Sequence, residues 1–186
     1  MNRPQQPGNS QPRPPEARTK SAAPPRQEPV IVFVVGGMQF AIPANAVHEI
    51  RDTDNLATEA AAVEQPEIPW VRHTVERGGT PLYVLSTGAF LGLPRTRPSL
   101  VLLLRDVRCA LLVDRIERMD ALSAIFALPQ AFRAEERRWY LGLALFEDGV
   151  VPMLNPQGLL TRENLERLDA RAVAPRLDGT PAGVPA

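Results

Sequence analysis

From residue 30 onward the chain repeats one pattern: four to seven mostly apolar residues, then a short polar or glycine-containing break. The first run is V-I-V-F-V-V (30–35), and the G-G-M-Q that follows reads as a two-glycine turn into Phe40-Ala41-Ile42-Pro43. Later runs of the same kind are Leu82–Leu85, Ser99–Leu104, Cys109–Val113, Tyr140–Phe146 and Val150–Leu154. R-D-V-R (105–108) and E-D-G (147–149) sit between pairs of runs where hairpin turns belong. Runs this short, bounded by turns, predict strands rather than helices, and many of them in series predict an all-β barrel or sandwich.

Helical periodicity is confined to short pieces. T-R-E-N-L-E-R-L-D-A-R-A (161–172) predicts a C-terminal helix. Thr161 is its cap, Asn164 stands where a capping box has Glu or Gln, and Leu165 and Leu168 share one face. A-N-A-V (44–47) and G-A-F-L-G (88–92) each suit a single helical turn. Residues 1–29 are dominated by Pro, Gln, Arg, Ser and Ala, with no large apolar residue after Met1, and predict a disordered tail. That tail reads either as a spacer or, through its R-P-P and P-P-R pieces, as a docking segment in the polyproline conformation. Residues 173–186 read as a second loose tail, leaving 30–172 as the domain.

Composition narrows the function classes. Lys+Arg and Asp+Glu balance at 21 each, so no excess positive charge argues for nucleic acid. Aromatic residues are only 5% of the chain, and none interleave with a basic stripe as single-strand-binding barrels require. No apolar run approaches the roughly 20 residues needed to span a bilayer, and the first residues lack a secretory apolar stretch. The expected location is cytoplasmic, with no direct membrane insertion.

Catalytic chemistry finds little to stand on. The two histidines, His48 and His73, are far apart and lack metal-ligand spacing with each other or with Cys109. There is no nucleophile elbow, no P-loop and no dinucleotide fingerprint. Cys109, the only cysteine, is expected to be a buried strand residue. Asp114, which ends L-L-V and precedes Arg115, is expected to cap a turn or pair ionically rather than act as a base. The sequence therefore predicts no enzyme, no cofactor and no metal, and leaves surfaces as the working parts.

Six segments in order resemble the CheW-like domain family. F-A-I-P-A-N-A-V-H-E-I (40–50) is similar to the family's opening signature, which closes on V-x-E-I at the end of its second strand. R-G (77–78) with P-L-Y-V-L and A-F-L-G-L resembles the family's R-G-x-x-x-P-V-x-D-L and L-G-L. L-L-V-D-R-I (111–116), L-P-Q-A-F (128–132), W-Y-L-G-L-A (139–144) and D-G-V-V-P-M-L-N-P-Q-G-L-L (148–160) continue the match. The resemblance implies a mainly β fold: two small five-stranded barrels around a shared apolar core, with a short C-terminal helix. It also implies a non-catalytic adaptor between the regulatory domain of a CheA-type histidine kinase and the cytoplasmic tip of a chemoreceptor, recruited to receptor arrays, with other CheW-like domains as further partners. By motif position, Val47, Glu49, Arg72 and Arg77 are the expected partner-binding residues.

Arg77 has two readings. Its planar fork, beside the Gly78-Gly79 turn, either contacts carboxylates or carbonyls of a partner or makes an internal salt bridge, for instance to Glu49 or Asp114. Three departures from the family pattern bear on partner choice. Arg72 stands where relatives carry glycine, Val84 replaces the aspartate of P-V-x-D-L, and the 52–69 connection is long. A bulky cation in a groove made for close backbone approach demands an acidic partner or forbids the ordinary one. The alternative expectation is a divergent module that binds only the kinase or other CheW-like domains, in a polarity or pilus-type system without direct receptor contact.

Overall fold

A computed structural model describes residues 28–63 and 68–172; the two terminal tails lie outside the described residues, apart from Glu28 and Pro29. Among the described residues, twelve strands form two sheets. β1 (Pro29–Val35) and β2 (Met38–Pro43) open the first sheet. The chain then leaves for the second, which takes β3 (Val47–Asp52), β4 (Ala61–Ala62), β5 (Val71–Arg77), β6 (Thr80–Leu85), β7 (Leu100–Leu104) and β8 (Cys109–Val113). It returns to the first sheet with β9 (Arg115–Ala121), β10 (Ala124–Phe126), β11 (Tyr140–Phe146) and β12 (Gly149–Leu154). Strand orders are β10-β11-β12-β2-β1-β9 and β3-β7-β8-β6-β5-β4. Pairing is antiparallel except for β12 with β2 and β6 with β8. Each sheet has five strands of five to seven residues plus one short edge strand, β10 or β4. The helices are α1 (Thr53–Glu59), α2 (Thr87–Phe90) and α3 (Arg162–Ala172). The mainly β, two-lobed fold with a C-terminal helix expected from the sequence is the one observed.

Side-chain alternation explains why several strands are apolar on both faces. Successive residues of a strand point to opposite sides. In β1, Ile31, Phe33 and Val35 enter a large cluster between the sheets, while Val30 and Val32 enter a separate cluster with Ala144, Phe146 and Met153. In β7, Leu102 and Leu104 join the shared cluster, while Val101 and Leu103 join a third with Leu82 and Val84. The same division runs through β8, where Cys109, Leu111 and Val113 face the shared layer and Ala110 the third cluster. Each sheet thus has an interior of its own, and both contribute to a common one. Cys109 is buried in a strand as expected, and burial pushes its thiol pKa up.

The crossings between sheets are fixed by hydrogen bonds. Asp114 sits between β8 and β9. Its backbone N–H donates to the Val34 carbonyl at 2.9 Å. Its carboxylate accepts from the Gly36 N–H at 2.8 Å and from the Thr96 hydroxyl at 2.6 Å. Ser99 Oγ donates to its carbonyl. This is the turn-fixing role expected of Asp114. At the other end, the Thr161 N–H donates to Asn164 Oδ1 and the Asn164 N–H to Thr161 Oγ1, at 3.0 and 3.1 Å. Asn164 thereby completes the reciprocal cap in place of glutamate. Leu165 and Leu168 then pack α3 on the shared cluster.

Four features differ from the sequence reading. V-H-E-I does not end the second strand. β2 stops at Pro43, residues 44–46 make a 3-10 turn, and Val47 begins β3 in the other sheet. The ring of Pro43 fixes φ and favours that break. Pro29, read as tail, is the first residue of β1 and pairs with Ala121. β5 and β9 have too few apolar residues to read as strands. α1 and β4 occupy part of the stretch read only as a long connection.

The turn at residues 156–158 lies against residues 138–139: Asn155 donates from its side chain to the Arg138 carbonyl and from its backbone to the Trp139 carbonyl. A Cβ on Gly158 would stand 1.7 Å from that Arg138 oxygen. Gly158→Ala is therefore expected to cost about 2 kcal/mol or more in urea unfolding. Gly79→Ala, in open space but at φ +77°, should cost only about 1 kcal/mol. Equal stability of the two variants would contradict the close approach.

Candidate functional site

The first pair of expected contact residues lies on β3. Val47 pairs with Leu104 and Glu49 with Leu103, so one extra residue, His48, is accommodated as a bulge. The bulge reverses the alternation that would otherwise give Val47 and Glu49 one face. Val47 is only 8% exposed and packs in the shared cluster, while Glu49 reaches the surface. Arg51, which the sequence reading did not single out, grips Glu49 through Nε and Nη2 at 2.8 Å each and donates from Nη1 to Glu59 of α1 at 2.9 Å. The hydrogen bond from Arg51 is the largest of the causes that hold the Glu49 carboxyl below its usual range; the Arg77 charge adds a minor contribution. The only sequence signal for Arg51 is its i+2 spacing from Glu49 on one strand. With Asn55 and Leu100 these groups line a cleft of about 520 Å³.

The second pair lies on β5, at opposite ends. Val71 pairs with Leu85 and His73 with Val84, so Arg72 is the bulged residue. Its effect on the core is visible: Val71 belongs to the shared cluster and Val75, with the same parity, to the third. Arg72 needs no left-handed backbone here, since Asp106 is the only non-glycine with positive φ among the described residues. Arg72 is exposed, and its Nε donates to the Pro69 carbonyl at 3.0 Å. Five residue steps along the strand, about 16 Å, separate it from Arg77. Gly78 and Gly79, at φ +57° and +77°, make the tight turn that closes the β5–β6 hairpin.

Neither carboxylate proposed as an internal partner of Arg77 pairs with it. Glu49 is taken by Arg51, and Asp114 by Gly36 and Thr96. Arg77 makes no hydrogen bond or ion pair with any described residue. It lines a cleft of about 490 Å³ with Thr80, Pro81, Arg108, Gln157 and Leu165. One wall of that cleft is held by a polar staple. Tyr83 Oη donates to Asp169 Oδ1 at 2.6 Å, and Arg108 donates from both terminal nitrogens to the same carboxylate at 2.7 and 2.5 Å. Arg108 also donates to the Pro81 carbonyl and lies 5.3 Å from the Tyr83 ring centre. Burial, and then the Asp169 hydrogen bond, push the Tyr83 pKa up to about 12. No sequence signal joins Arg108 to Asp169, 61 residues apart.

Arg72 instead lines a third cleft, of about 530 Å³, with His73, Ser86, Thr87, Arg95 and Asp114. The expected site residues therefore divide between surfaces. Glu49 and Arg77 are within electrostatic reach of each other, Arg72 belongs elsewhere, and Val47 supports from beneath.

The family model for the CheW-like domain matches residues 29–164, and the chain belongs to that family of chemotaxis scaffolds and adaptors. Its fold is similar to the crystal structure of the scaffolding protein TtCheW from Thermoanaerobacter tengcongensis. The match has 14% identity and a TM-score of 0.59, over 74% of this chain and 95% of that one. No curated protein matches the sequence.

The Asp169 staple makes an acid-dependent prediction. Hydrogen bonds from Arg108, the largest cause, and from Tyr83 hold the Asp169 carboxyl below its usual range. A depressed carboxyl contributes stability above its unfolded pKa and loses it as pH falls through the folded value. Asp169→Asn should cost about 1 kcal/mol near neutral pH, allowing for solvent screening of a half-exposed pair. The gap to wild type should close between about pH 5 and pH 2 in denaturant titrations. A gap that stayed constant over that range would rule the staple out as its source.

Proposed function

We propose that the protein is a non-catalytic adaptor. It couples the regulatory domain of a CheA-type histidine kinase to the cytoplasmic tips of chemoreceptors, and it resides in the cytoplasm, recruited to receptor arrays. The observation that carries this reading is an exposed arginine, Arg77, with no hydrogen bond or ion pair among the described residues, beside a cleft and within electrostatic reach of Glu49, in a chain of the CheW-like family. A guanidinium left unpaired at a cleft edge can donate charge-assisted hydrogen bonds to carboxylate or carbonyl oxygens of a partner without breaking any in the free protein. Val47 acts through packing, setting the β3 bulge that brings Glu49 outward. Two sheet subdomains offer separate faces, so two moderate interfaces of roughly 600–1,500 Å² each suit reversible assembly, strengthened by effective concentration within an array.

The second reading is a module that binds only the kinase or other CheW-like domains, in a polarity or pilus-type system. Arg72 favours it, because a bulky cation at the β5 bulge changes the shape and charge of that face relative to a glycine.

The test is capture of the full chain by the kinase regulatory domain and by a receptor cytoplasmic hairpin, each immobilised separately. Arg77→Glu should weaken capture by at least about tenfold with an unchanged melting temperature, since the side chain is exposed and unpaired. Capture by both partners supports coupling, and capture by the kinase domain alone supports the second reading. Wild-type capture by Arg77→Glu would remove Arg77 from the interface.

A further inference from the structure

The cleft at the start of β5 is built differently from the other two. Three groups with basic nitrogen enter it: Arg72 from the bulge, His73 beside it, and Arg95 from the segment between α2 and β7. Arg72 uses Nε on the Pro69 carbonyl, which fixes the base of the guanidinium, and its terminal nitrogens bond no described residue. Arg95 is exposed and bonds no described residue. The cleft also contains a carboxylate, but Asp114 is occupied: one oxygen accepts from the Gly36 N–H and the other from the Thr96 hydroxyl. The two arginines and the one aspartate sum to a single positive charge.

The second, independent observation is Thr87. It is 0% exposed and lines this cleft. Its Oγ1 has no hydrogen-bond partner among the described residues. A buried hydroxyl left unpaired costs about 1–3 kcal/mol, so native structures seldom retain one without a use. A valine would have filled the same volume without that penalty.

From these features we propose that the Arg72–Arg95 cleft, with Thr87 in its wall, is a docking site for an acidic segment of a protein partner, which places one carboxylate between the two guanidinium groups. The single net charge matches a monoanionic carboxylate, whereas a phosphate dianion would meet the fixed Asp114 carboxylate with one charge uncompensated. Apolar neighbours such as Val63, Pro94 and Leu112 suit a segment whose acidic residue is flanked by an aliphatic one. The cleft lies at the far end of β5 from Arg77, so this contact adds to the one at Arg77 rather than replacing it. The inference rests on the adaptor reading only in taking the ligand to be part of a protein.

The test uses the full chain, isotopically labelled, and three probes followed by NMR: the capped peptide acetyl-Ala-Glu-Leu-amide, its glutamine counterpart, and inorganic phosphate. Saturable shifts are expected at the amides of residues 72–73, 86–88 and 95–96 with the glutamate peptide. The glutamine peptide should bind at least about tenfold more weakly, because the charge-assisted bonds are lost. Arg72→Glu and Arg95→Glu should each weaken the glutamate peptide by about tenfold or more. Thr87→Val should weaken it about threefold while raising the melting temperature of the free protein, as removal of an unpaired buried hydroxyl requires. Equal responses to the two peptides, indifference to both charge reversals, or tighter binding of phosphate than of the glutamate peptide would each overturn the proposal. A chain that binds the glutamate peptide yet is captured by neither kinase nor receptor fragment would lose the adaptor role and keep the cleft; the opposite result would do the reverse.

Discussion

The structure depends on strands that bury both of their faces. β1, β7 and β8 each send alternate side chains into the shared layer and into an interior belonging to one sheet. An ordinary half-buried strand keeps one polar face, and two such sheets could be separated at the cost of one interface. Here, moving the sheets apart would expose Phe33, Leu85, Leu102 and Leu111 together, all less than 2% exposed. At about 1.5–3 kcal/mol for each fully buried side chain, the loss from these four alone would be comparable to the whole stability of a typical domain. The two subdomains therefore fold as one body, and clefts at their margins inherit a fixed geometry without needing large ordered loops.

Chain crossings make the second constraint. The second sheet is formed wholly between β2 and β9, so the polypeptide passes between subdomains only twice in the sheet region. One passage is the Pro43 break with its 3-10 turn, and the other is Asp114. Because Asp114 ties Val34, Gly36, Thr96 and Ser99 together, it couples the β1–β2 turn of one sheet to the β7 approach of the other. The Asp114 carboxylate, held by the Gly36 N–H and the Thr96 hydroxyl, makes no ion pair with Arg72 or Arg95. A residue whose structural work is finished inside the fold thus leaves the cationic groups beside it free for a ligand.

Much of the fold was legible in the sequence, and the parts that were not share a cause. Strands apolar on both faces, such as 30–35 and 100–104, announce themselves as continuous runs. β5 (V-R-H-T-V-E-R) and β9 (R-I-E-R-M-D-A) do not, because bulging or exposure of one face leaves two apolar residues in the first and a polar-dominated alternation in the second. The C-terminal cap was legible down to Asn164, since capping is decided within four residues. The polar staple was not: Tyr83, Arg108 and Asp169 come together only through the parallel pairing of β6 with β8 and the docking of α3.

The candidate site shows the same division between local and assembled information. A motif position fixes where a residue falls in a strand, but a bulge decides which way it points. Val47 and Glu49, two apart, would share a face in a regular strand and are separated by the extra residue at His48. Arg72 is itself the extra residue of β5, and its insertion moves Val75 from the shared layer to the interior of the second sheet. Bulges bend a strand and sharpen its twist. Both of these lie in strands at or next to an edge of the sheet, β3 at one end of the strand order and β5 beside the short β4. There the distortion disturbs little of the ladder. The interior of the sheet keeps its regular pairing, and the two irregular strands at its margins present Glu49, Arg72 and Arg77 outward.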